Sequence, residues 1–382
     1  MSRVALVNAL LLDPEADAPA RGGLLLDGGR IAARLAEGAT IEGIDAIDLG
    51  GRALSPGFLD VHYHGALVCG TPERSGAAVR EAARELLRDG VTGFLPTTVA
   101  WPQPELLARV GALAEACAAE PSDGAAALGL HLEGPWISAG AAGAQPRAGI
   151  RDFDAAEAAS VFDRAHGRLR MVTLAPELPG AGALLAELAR RGIVAALGHS
   201  HAEVAQVDAA VERGARHVTH LWNAMGGLHH RAPGLAGAAL TDDRLSCDLI
   251  CDGVHVHPAA VRLAARAKRE RLLLISDRVA AGAGFGAGEL VDDGTALRLP
   301  DGRLAGSRLT LDRAVANAVA FGAMTRLEAV AAVSLRPARL LGIERERGTL
   351  RRGARADLVV LDAAGRAAET WLAGRRVYAA ER

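Results

Sequence analysis

Runs of apolar residues alternate with amphipathic stretches through the middle of the chain. Eight of these runs are almost continuously apolar, which is typical of parallel strands buried on both faces. They cover residues 58–64, 91–99, 126–133, 169–175, 193–199, 217–223, 247–256 and 271–277. Apolar residues spaced three and four apart predict helices over 76–88, 105–119, 181–191, 202–213 and 258–270. Eight strand and helix units in succession predict a (β/α)8 barrel over residues 55–346.

The two ends of the chain have a different texture. Short apolar runs separated by Gly, Pro and Asp occupy 4–12, 23–26, 30–33 and 46–49, and similar runs return at 356–361 and 369–378. We expect residues 1–54 and 347–382 to build one small discontinuous β domain, and the glycine-rich stretch 279–311 to be an insertion after the eighth strand. An open doubly wound sheet is the alternative to the barrel, but no GxGxxG motif follows the first strand.

Composition excludes several classes of function. With 43 basic and 45 acidic residues the formal charge is −2, so no broad attraction to nucleic acid or to an anionic membrane is expected. No run of about 18 apolar residues predicts a membrane span, and the apolar run at 4–12 leads into an acidic turn unlike a signal-peptide cleavage region. The four cysteines are too scattered for a disulfide framework, which favours a reducing cytoplasm; they are Cys69, Cys117, Cys247 and Cys251.

The basic residues are almost all arginine, and Lys268 is the single lysine. It lies in a polar stretch that we expect to be an exposed helix. Chemistry that needs a Schiff-base lysine, a phosphate-loop lysine or a carbamylated lysine between two metals is therefore not expected.

Side chains of metal-ligand type recur at the carboxyl ends of the predicted strands, where a barrel builds its active site. Strand alternation puts Asp60, His62 and His64 on one face at the end of the first strand. Later strands end near Glu133, His199, His220 and Asp277. Imidazole and carboxylate without thiolate suit zinc or another divalent first-row ion, and three such ligands with a water form a catalytic site. The pattern predicts metal-assisted hydrolysis of a C–N or similar bond, with a nearby carboxylate moving protons.

Several motifs resemble known sequences. The run Pro-Gly-Phe-Leu-Asp-Val-His-Tyr-His-Gly at 56–65 resembles the opening of the amidohydrolase superfamily. Later motifs resemble the N-acetylglucosamine-6-phosphate deacetylase family in particular, and they follow the family's order over almost the whole chain. These are HLEGPW (131–136), GHS (198–200), THLWNAM (219–225), RAPGLAG (231–237), DGVH (252–255) and SD (276–277). The resemblance implies a metal-dependent deacetylase with a barrel and a small β-sandwich, usually a homodimer, acting on an N-acetylhexosamine 6-phosphate.

The resemblance also implies roles for individual residues. The main metal site corresponds to Glu133, His199 and His220, and the catalytic aspartate to Asp277. A second metal position, present in only some members, corresponds to His62 and His64, which leaves open one or two ions of zinc, iron, manganese or cobalt. Residues matching substrate contacts are Ala144, Asn223, Ala224, His255, Leu304, Ala305 and Gly306. Arg231 matches an arginine that binds the phosphate of the neighbouring subunit's substrate.

Two departures from the family leave the exact substrate open. Gln145 stands where members commonly have histidine, and Arg278 follows Asp277 where a small residue is usual. We expect both near the sugar pocket, so the galactosamine epimer and other N-acyl amino sugars are alternatives to N-acetylglucosamine 6-phosphate.

Two further hypotheses concern other classes of function. A cyclic-amide hydrolase or a deaminase has the same scaffold, but a neutral ring needs no anion-binding residue such as Arg231. A sugar-phosphate-binding scaffold without turnover has no use for a proton-carrying Asp277. Other polar or thiol residues are expected to be structural, namely His131, His166, His217 and the pair Cys247 and Cys251, with support of the neighbouring Glu133 as the alternative role for His131.

Overall fold

A computed structural model describes residues 3–39, 42–68, 71–118, 123–280 and 289–381. Its strands in these ranges are β1 (Val4–Leu11), β2 (Ala20–Asp27), β3 (Arg30–Leu35), β4 (Asp45–Asp48), β5 (Ala53–Pro56), β6 (Phe58–Gly65), β7 (Val91–Pro96), β8 (Ala126–Ala127), β9 (Leu130–Glu133), β10 (Leu169–Leu174), β11 (Val194–Leu197), β12 (His217–Val218), β13 (Ser246–Ile250), β14 (Leu272–Ile275), β15 (Arg278–Val279), β16 (Val291–Asp292), β17 (Leu297–Arg298), β18 (Leu358–Leu361), β19 (Ala367–Leu372) and β20 (Arg375–Ala379).

The α-helices are α1 (Ser75–Glu85), α2 (Gln103–Ala118), α3 (Ala155–Arg164), α4 (Ala181–Arg191), α5 (Val204–Glu212), α6 (Gly234–Thr241), α7 (Pro258–Lys268), α8 (Leu311–Ala320), α9 (Arg326–Ala332) and α10 (Leu335–Leu340). Short 3-10 helices cover Pro72–Arg74, Leu86–Asp89, Ala139–Ala141, Arg147–Gly149 and Arg269–Arg271. The five predicted helices are confirmed as α1, α2, α4, α5 and α7, with ends shifted by no more than three residues. None of the helices in the described ranges is long and apolar enough to cross a membrane.

The middle of the chain forms the predicted barrel of parallel strands. One parallel sheet runs β9-β10-β11-β12-β13-β14, and a second runs β15-β6-β7-β8. A parallel bridge between Thr97 and His131 joins the two sheets on one side. On the other side the backbone N–H of Asp277 donates to the carbonyl of His62 (3.0 Å), which brings the end of the eighth barrel strand against the first. The (β/α)8 prediction is confirmed.

The sixth and seventh barrel strands are shorter than predicted. β12 ends at Val218 and β13 at Ile250, whereas the apolar runs continue to residues 223 and 256. Beyond β12 the backbone takes positive φ angles of 33° at His220 and 84° at Trp222, which are incompatible with a strand. The apolar composition of 217–223 reflects burial after the strand has ended rather than continued pairing.

Strands from both ends of the chain share one sheet, which we call the end sheet. Its order is β20-β19-β18-β5-β1-β2-β3, and β4 pairs with β1. The end sheet has its own apolar core, in which Leu6, Leu54, Leu358 and Trp371 are buried together. Sequence-distant strands meet directly, because β5 pairs in parallel with β1 and antiparallel with β18. The exact limits of this domain, 1–54 with 347–382, stay a prediction.

The region after the eighth strand is described only in part. β15 continues beside β6, and β16 pairs with β17 as a short antiparallel hairpin. Residues 281–288 of the predicted insertion lie outside the described residues.

The predicted exposure of Lys268 is wrong. Its side chain is buried, and Nζ donates to the carbonyl of Asp242 (2.8 Å). The reason is helical spacing: Val261, Ala264 and Lys268 form the buried stripe of α7, and the long apolar stem of lysine packs along it. Burial lowers the pKa of this amine.

The described cysteines are packing residues, as predicted. Cys117, Cys247 and Cys251 are buried free thiols, and burial raises the pKa of each to about 12, which suppresses thiolate chemistry. Cys69 lies outside the described residues.

Candidate active site

The candidate site lies at the carboxyl ends of the barrel strands. Three residues that follow strands there have left-handed backbones, with φ of 47° at His199, 33° at His220 and 46° at Asp277. For residues other than glycine this conformation is strained, and such strain concentrates at functional sites. The turns direct these three side chains toward Glu133 and the end of β6.

The first group is formed by Glu133, His199 and His220, which are all buried. Oε1 of Glu133 lies 3.1 Å from Nε2 of His199 and 3.0 Å from Nε2 of His220, and the two Nε2 atoms are 3.1 Å apart. Each imidazole donates its other nitrogen to a backbone carbonyl: His199 Nδ1 to Ala141 (3.0 Å) and His220 Nδ1 to Asn223 (3.2 Å). Because carbonyls only accept, both Nε2 atoms of the neutral rings carry lone pairs.

These three atoms fit a divalent metal ion. Two lone pairs and a carboxylate oxygen that converge in a buried site repel one another unless a cation lies between them. Zinc bonds of about 2.0–2.1 Å in tetrahedral geometry put ligand atoms about 3.3 Å apart, close to the separations found here. The backbone carbonyls that fix the imidazole tautomers are the orienting contacts that metal-binding histidines require.

The second group is formed by His62, His64 and Asp277. Nε2 of His62 and Nε2 of His64 are 3.1 Å apart. Oδ1 of Asp277 lies 3.4 Å from Nε2 of His62 and 3.2 Å from Nε2 of His64. Nδ1 of His64 lies 3.1 Å from the carbonyl of Thr97, which fixes its tautomer as in the first group. The residues of this group can hold a second cation.

The two groups are adjacent and share their electrostatics. Oε1 of Glu133 lies 3.4 Å from Nε2 of His62, and its Oε2 lies 3.3 Å from Nε2 of His64. Burial opposes charge at Glu133 and Asp277, but the neighbouring imidazoles, His62 first, lower the pKa of both carboxyls. Burial also opposes charge on His64, yet the two carboxylates raise the pKa of this imidazole to about 10. The carboxylates therefore attract positive charge into the site.

Gln145 orients the carboxylate of Glu133. The backbone N–H of Ala100 donates to Oε1 of Gln145 (2.8 Å), which turns the amide NH2 group toward Oε2 of Glu133, where it donates a hydrogen bond. Gln145 is 5% exposed. This departure from the family's histidine thus lies in the candidate site, as predicted, and contacts a candidate ligand.

Buried hydrogen-bond partners support the candidate ligands, and one of them, Asp248, is a residue that the sequence did not single out. Asp248 accepts hydrogen bonds from the backbone N–H of His220 and, at 2.8 Å, from Nε2 of His217. Oγ of Ser276 donates to Asp60, whose pKa burial raises to about 6. The only sequence signal for Asp248 is one acidic residue in an otherwise apolar strand.

His131, expected to be structural or to support Glu133, lies under the site. Its Nε2 contacts Oγ1 of Thr173 (2.8 Å), which in turn contacts Oγ1 of Thr219 (2.8 Å). Its ring packs edge-on against His62, with centroids 4.7 Å apart. These contacts fix the position of the His131 ring, against which the ring of His62 packs.

A cavity of about 270 Å³ lies over both groups. Of the predicted substrate contacts it is lined by Ala144, Asn223, Ala224, His255, Leu304 and Gly306. Ala305 is buried and Arg231 is exposed, and neither lines the cavity in the described structure. Arg303, which sequence reasoning missed, lines it and donates a hydrogen bond to the carbonyl of Gly143 across the cavity.

The predicted place of Arg278 near the sugar pocket is wrong. Its guanidinium pairs with Asp89 (2.8 Å) and Glu85 and does not line the cavity. The left-handed turn at Asp277 is the physical reason: Asp277 faces the cavity, and Arg278, which returns to strand pairing beside β6, projects away from it.

Fold and site together define a metal-dependent hydrolase of the barrel type. The amidohydrolase family model matches residues 53–377, and the chain belongs to this family. The donor groups described above agree with the metal dependence of the family.

Particular members of the family are closely similar to this chain. It is 38% identical to N-acetylgalactosamine-6-phosphate deacetylase of Escherichia coli O157:H7, over 84% of this chain and 87% of the relative. It is 40% identical to N-acetylglucosamine-6-phosphate deacetylase of Homo sapiens, over 87% and 85%. Among solved structures, an N-acetyl-D-glucosamine-6-phosphate deacetylase variant from Mycobacterium smegmatis, in complex with N-acetyl-D-glucosamine-6-phosphate, has a TM-score of 0.90 and 34% identity, covering 99% of this chain and all of the other.

Proposed function

We propose that the protein hydrolyses the N-acetyl amide of N-acetylglucosamine 6-phosphate to acetate and glucosamine 6-phosphate. The observation that carries the proposal is the convergence of Asp277 with the Glu133, His199 and His220 group in one cavity of about 270 Å³. The named activities of relatives that are 38% and 40% identical over most of the chain support it.

We propose zinc as the metal, with iron, manganese or cobalt as alternatives. Glu133, His199 and His220 would hold the main ion, and His62 and His64 with Asp277 a second one. When bound, such an ion polarises the amide carbonyl and lowers the pKa of a water toward about 7.

Asp277 is the proposed general base and general acid. Its carboxylate would accept the proton of the attacking water and return it to the nitrogen of the leaving amine, so that the carboxylate is regenerated in each turnover. The left-handed turn at Asp277 holds the side chain over the two groups rather than along the strand.

His255 and Asn223 are the proposed sugar-binding residues. Nδ1 of His255 pairs with Oδ2 of Asp252 (2.6 Å). The Nε2 atom of His255 therefore points away from this carboxylate and is left to bind the substrate. The buried Nδ2 of Asn223 has no hydrogen-bond partner within the described structure, and Asn223 lines the cavity. A substrate oxygen would satisfy this donor. Ala144, Ala224 and the segment 304–306, including Ala305, would complete the sugar pocket.

The phosphate is proposed to bind Arg231 of a neighbouring subunit in a homodimer. Arg231 is exposed, and its Nη1 donates to Nε2 of His230 (2.7 Å) rather than facing its own cavity. The one Arg or Lys that lines the described cavity, Arg303, is already paired with Asp301 (2.7 Å). A phosphate in this cavity therefore needs a cation from elsewhere, which supports a contribution from the partner subunit. We place this activity in the cytoplasm, in keeping with the buried free thiols.

N-acetylgalactosamine 6-phosphate is the second candidate substrate, because one closely similar relative is named as a deacetylase of that sugar. The test is acetate release from both N-acetylhexosamine 6-phosphates and their unphosphorylated forms, with purified metal-loaded protein. A kcat/KM at least tenfold higher for the glucosamine epimer supports the proposal. Preference for the galactosamine epimer supports the second candidate, and no acetate from any of the four contradicts both.

A further inference from the structure

A basin of about 460 Å³ opens at the amino ends of β12, β13 and β14, on the opposite end of the barrel from the candidate active site. Its charged lining residues are Arg216, Arg244, Glu270, Arg271, Arg336 and Arg339. Five guanidinium groups thus surround one carboxylate. Because the whole chain carries a formal charge of −2, this positive excess is local. We call this feature the arginine basin.

Arg336 makes the arginine basin more than a set of surface charges. Its side chain is only 7% exposed, and Nη1 donates to the carbonyl of Leu272 (2.7 Å). Within the described ranges no carboxylate oxygen lies within 4.0 Å of this guanidinium. A buried cation without a carboxylate in direct contact is unfavourable, and an anion that bound beside it would relieve this cost. Burial lowers the pKa of Arg336 to about 10, although the more distant carboxylates of Glu328 and Glu270 oppose this shift.

Most of the neighbouring arginines also lack a carboxylate partner, so they add to the positive charge of the basin. Arg271 and Arg339 are exposed, and neither forms an ion pair with any residue that the structure describes. Arg216 donates only to backbone carbonyls, at 2.8 Å and 3.2 Å. Arg244 is the exception, because it pairs with Asp242 (2.7 Å) and Glu212. Three arginines therefore join Arg336 in facing the basin without a carboxylate partner.

We propose that the arginine basin binds a small anion that carries one or more phosphate groups. One guanidinium group can bind two phosphate oxygens at once through parallel N–H donors. Several guanidinium groups around one concave surface therefore suit a multiply charged anion. A volume of about 460 Å³ accommodates pyrophosphate or a sugar phosphate. The site is separate from the proposed catalytic centre, because Arg216 and Arg271 precede β12 and β14, whose opposite ends lead to His220 and Asp277.

The test measures binding of sodium pyrophosphate and of glucose 6-phosphate, by calorimetry and by the shift in Tm, against sodium chloride of equal ionic strength. A ligand that binds the folded state raises Tm with its concentration. We expect both pyrophosphate and glucose 6-phosphate to bind wild-type protein if any phosphate suffices. If the sugar is also recognised, only glucose 6-phosphate should bind. Absence of binding beyond the chloride control in both arms overturns the proposal.

Variants assign the binding to the basin. Arg336→Met keeps the length of the apolar stem and should weaken binding at least tenfold, as should the double change Arg271→Met with Arg339→Met. The double variant alters exposed residues, so it decides the question if Arg336→Met does not fold. Arg88→Met, an exposed arginine elsewhere, should bind like wild type, as should Arg231→Ala. Loss of binding in Arg231→Ala with full binding in both basin variants would place the anion at the proposed substrate site and overturn the inference.

Discussion

Gln145 donates its side-chain amide to Oε2 of Glu133, while Oε1 of the same carboxylate lies within 3.1 Å of Nε2 of both His199 and His220. The two oxygens of one carboxylate therefore have different partners. Because Ala100 fixes the amide orientation, Gln145 can only donate to Glu133. The hydrogen bond to Oε2 holds the carboxylate so that Oε1 faces His199 and His220. Glu133 therefore needs little rearrangement when a cation binds.

Gln145→Ala should weaken metal binding at the first group by about 10- to 100-fold, the usual effect of losing a partner of a metal ligand. A chelator-competition titration with zinc measures this, and the absorption spectrum of the cobalt-loaded protein reports the ligand geometry. Gln145→Glu is the size-matched control: it loses the amide donor but adds a carboxylate that attracts cations, so it should weaken metal binding less than Gln145→Ala does. Unchanged affinity in both variants would show that Gln145 does not orient Glu133.

Asp277→Asn should keep the fold and the first metal ion yet lose about 10²- to 10⁴-fold in kcat, because the amide cannot accept a proton from water. Steady-state acetate release and metal analysis of the same preparation measure the two quantities. Near-normal turnover by the metal-loaded variant would remove Asp277 from the proposed proton transfer.

His199→Ala and His62→Ala should separate the two metal positions. Loss of His199 removes one of three ligand atoms of the first group and should abolish tight metal binding there, together with activity. His62→Ala should lose only the second ion and keep metal at the first group. Elemental analysis of both purified variants gives the count. A His199→Ala protein with full metal content and full activity contradicts the assignment.

Arg231→Ala should lower kcat/KM for the 6-phosphorylated substrate by about 30- to 5,000-fold, the range for removing one partner of a desolvated charge pair. Activity on the unphosphorylated sugar should change little. Equal losses on both substrates would indicate that Arg231 supports the fold instead.

The dimer arrangement makes a separate prediction for mixed subunits. Inactive Arg231→Ala and Asp277→Asn proteins, allowed to exchange, should regain part of the wild-type activity, because one site in the mixed dimer has both residues intact. Size-exclusion chromatography with light scattering checks that dimers form. No recovery from confirmed mixed dimers would place Arg231 in its own subunit's site.

Asp248 should matter for stability and for metal binding together. It accepts from the backbone N–H of His220 and from His217, all inside the barrel. Asp248→Ala removes a buried charged partner and should destabilise the protein by about 3–5 kcal/mol. Urea unfolding measures the loss. Ser246→Ala, which removes the contacts of this hydroxyl with Nδ1 of His217 and with the carbonyl of Arg216, is the milder control and should cost about 1 kcal/mol.

The sequence was sufficient to predict the barrel and the positions of the candidate ligands, because both follow from the periodic pattern of apolar and polar residues. Buried parallel strands read as apolar runs, and the residues at their carboxyl ends must meet at one end of a closed sheet. His62, His64, Glu133 and Asp277 could therefore be placed together from sequence alone. Their separations and hydrogen-bond partners could not.

The features that the sequence did not predict depend on side-chain direction or on contacts between distant segments. Arg278 was expected at the sugar pocket, but the positive φ at Asp277 turns it to Asp89 and Glu85. The charge of Lys268 predicts exposure, whereas its position on the buried stripe of α7 decides its burial. The hydrogen bond from Gln145 to Glu133 links the end of β9 to the loop that follows it, and its direction is fixed by Ala100, which follows β7.

The pairing of β5 with β18 constrains the order in which the protein can be completed during synthesis. β5 ends at Pro56 and its partner begins at Leu358, so roughly 300 residues are made before this edge is covered. An uncovered strand edge is a template for pairing with another chain. This edge of β5 therefore stays open to such pairing throughout synthesis of the barrel, until β18 emerges from the ribosome.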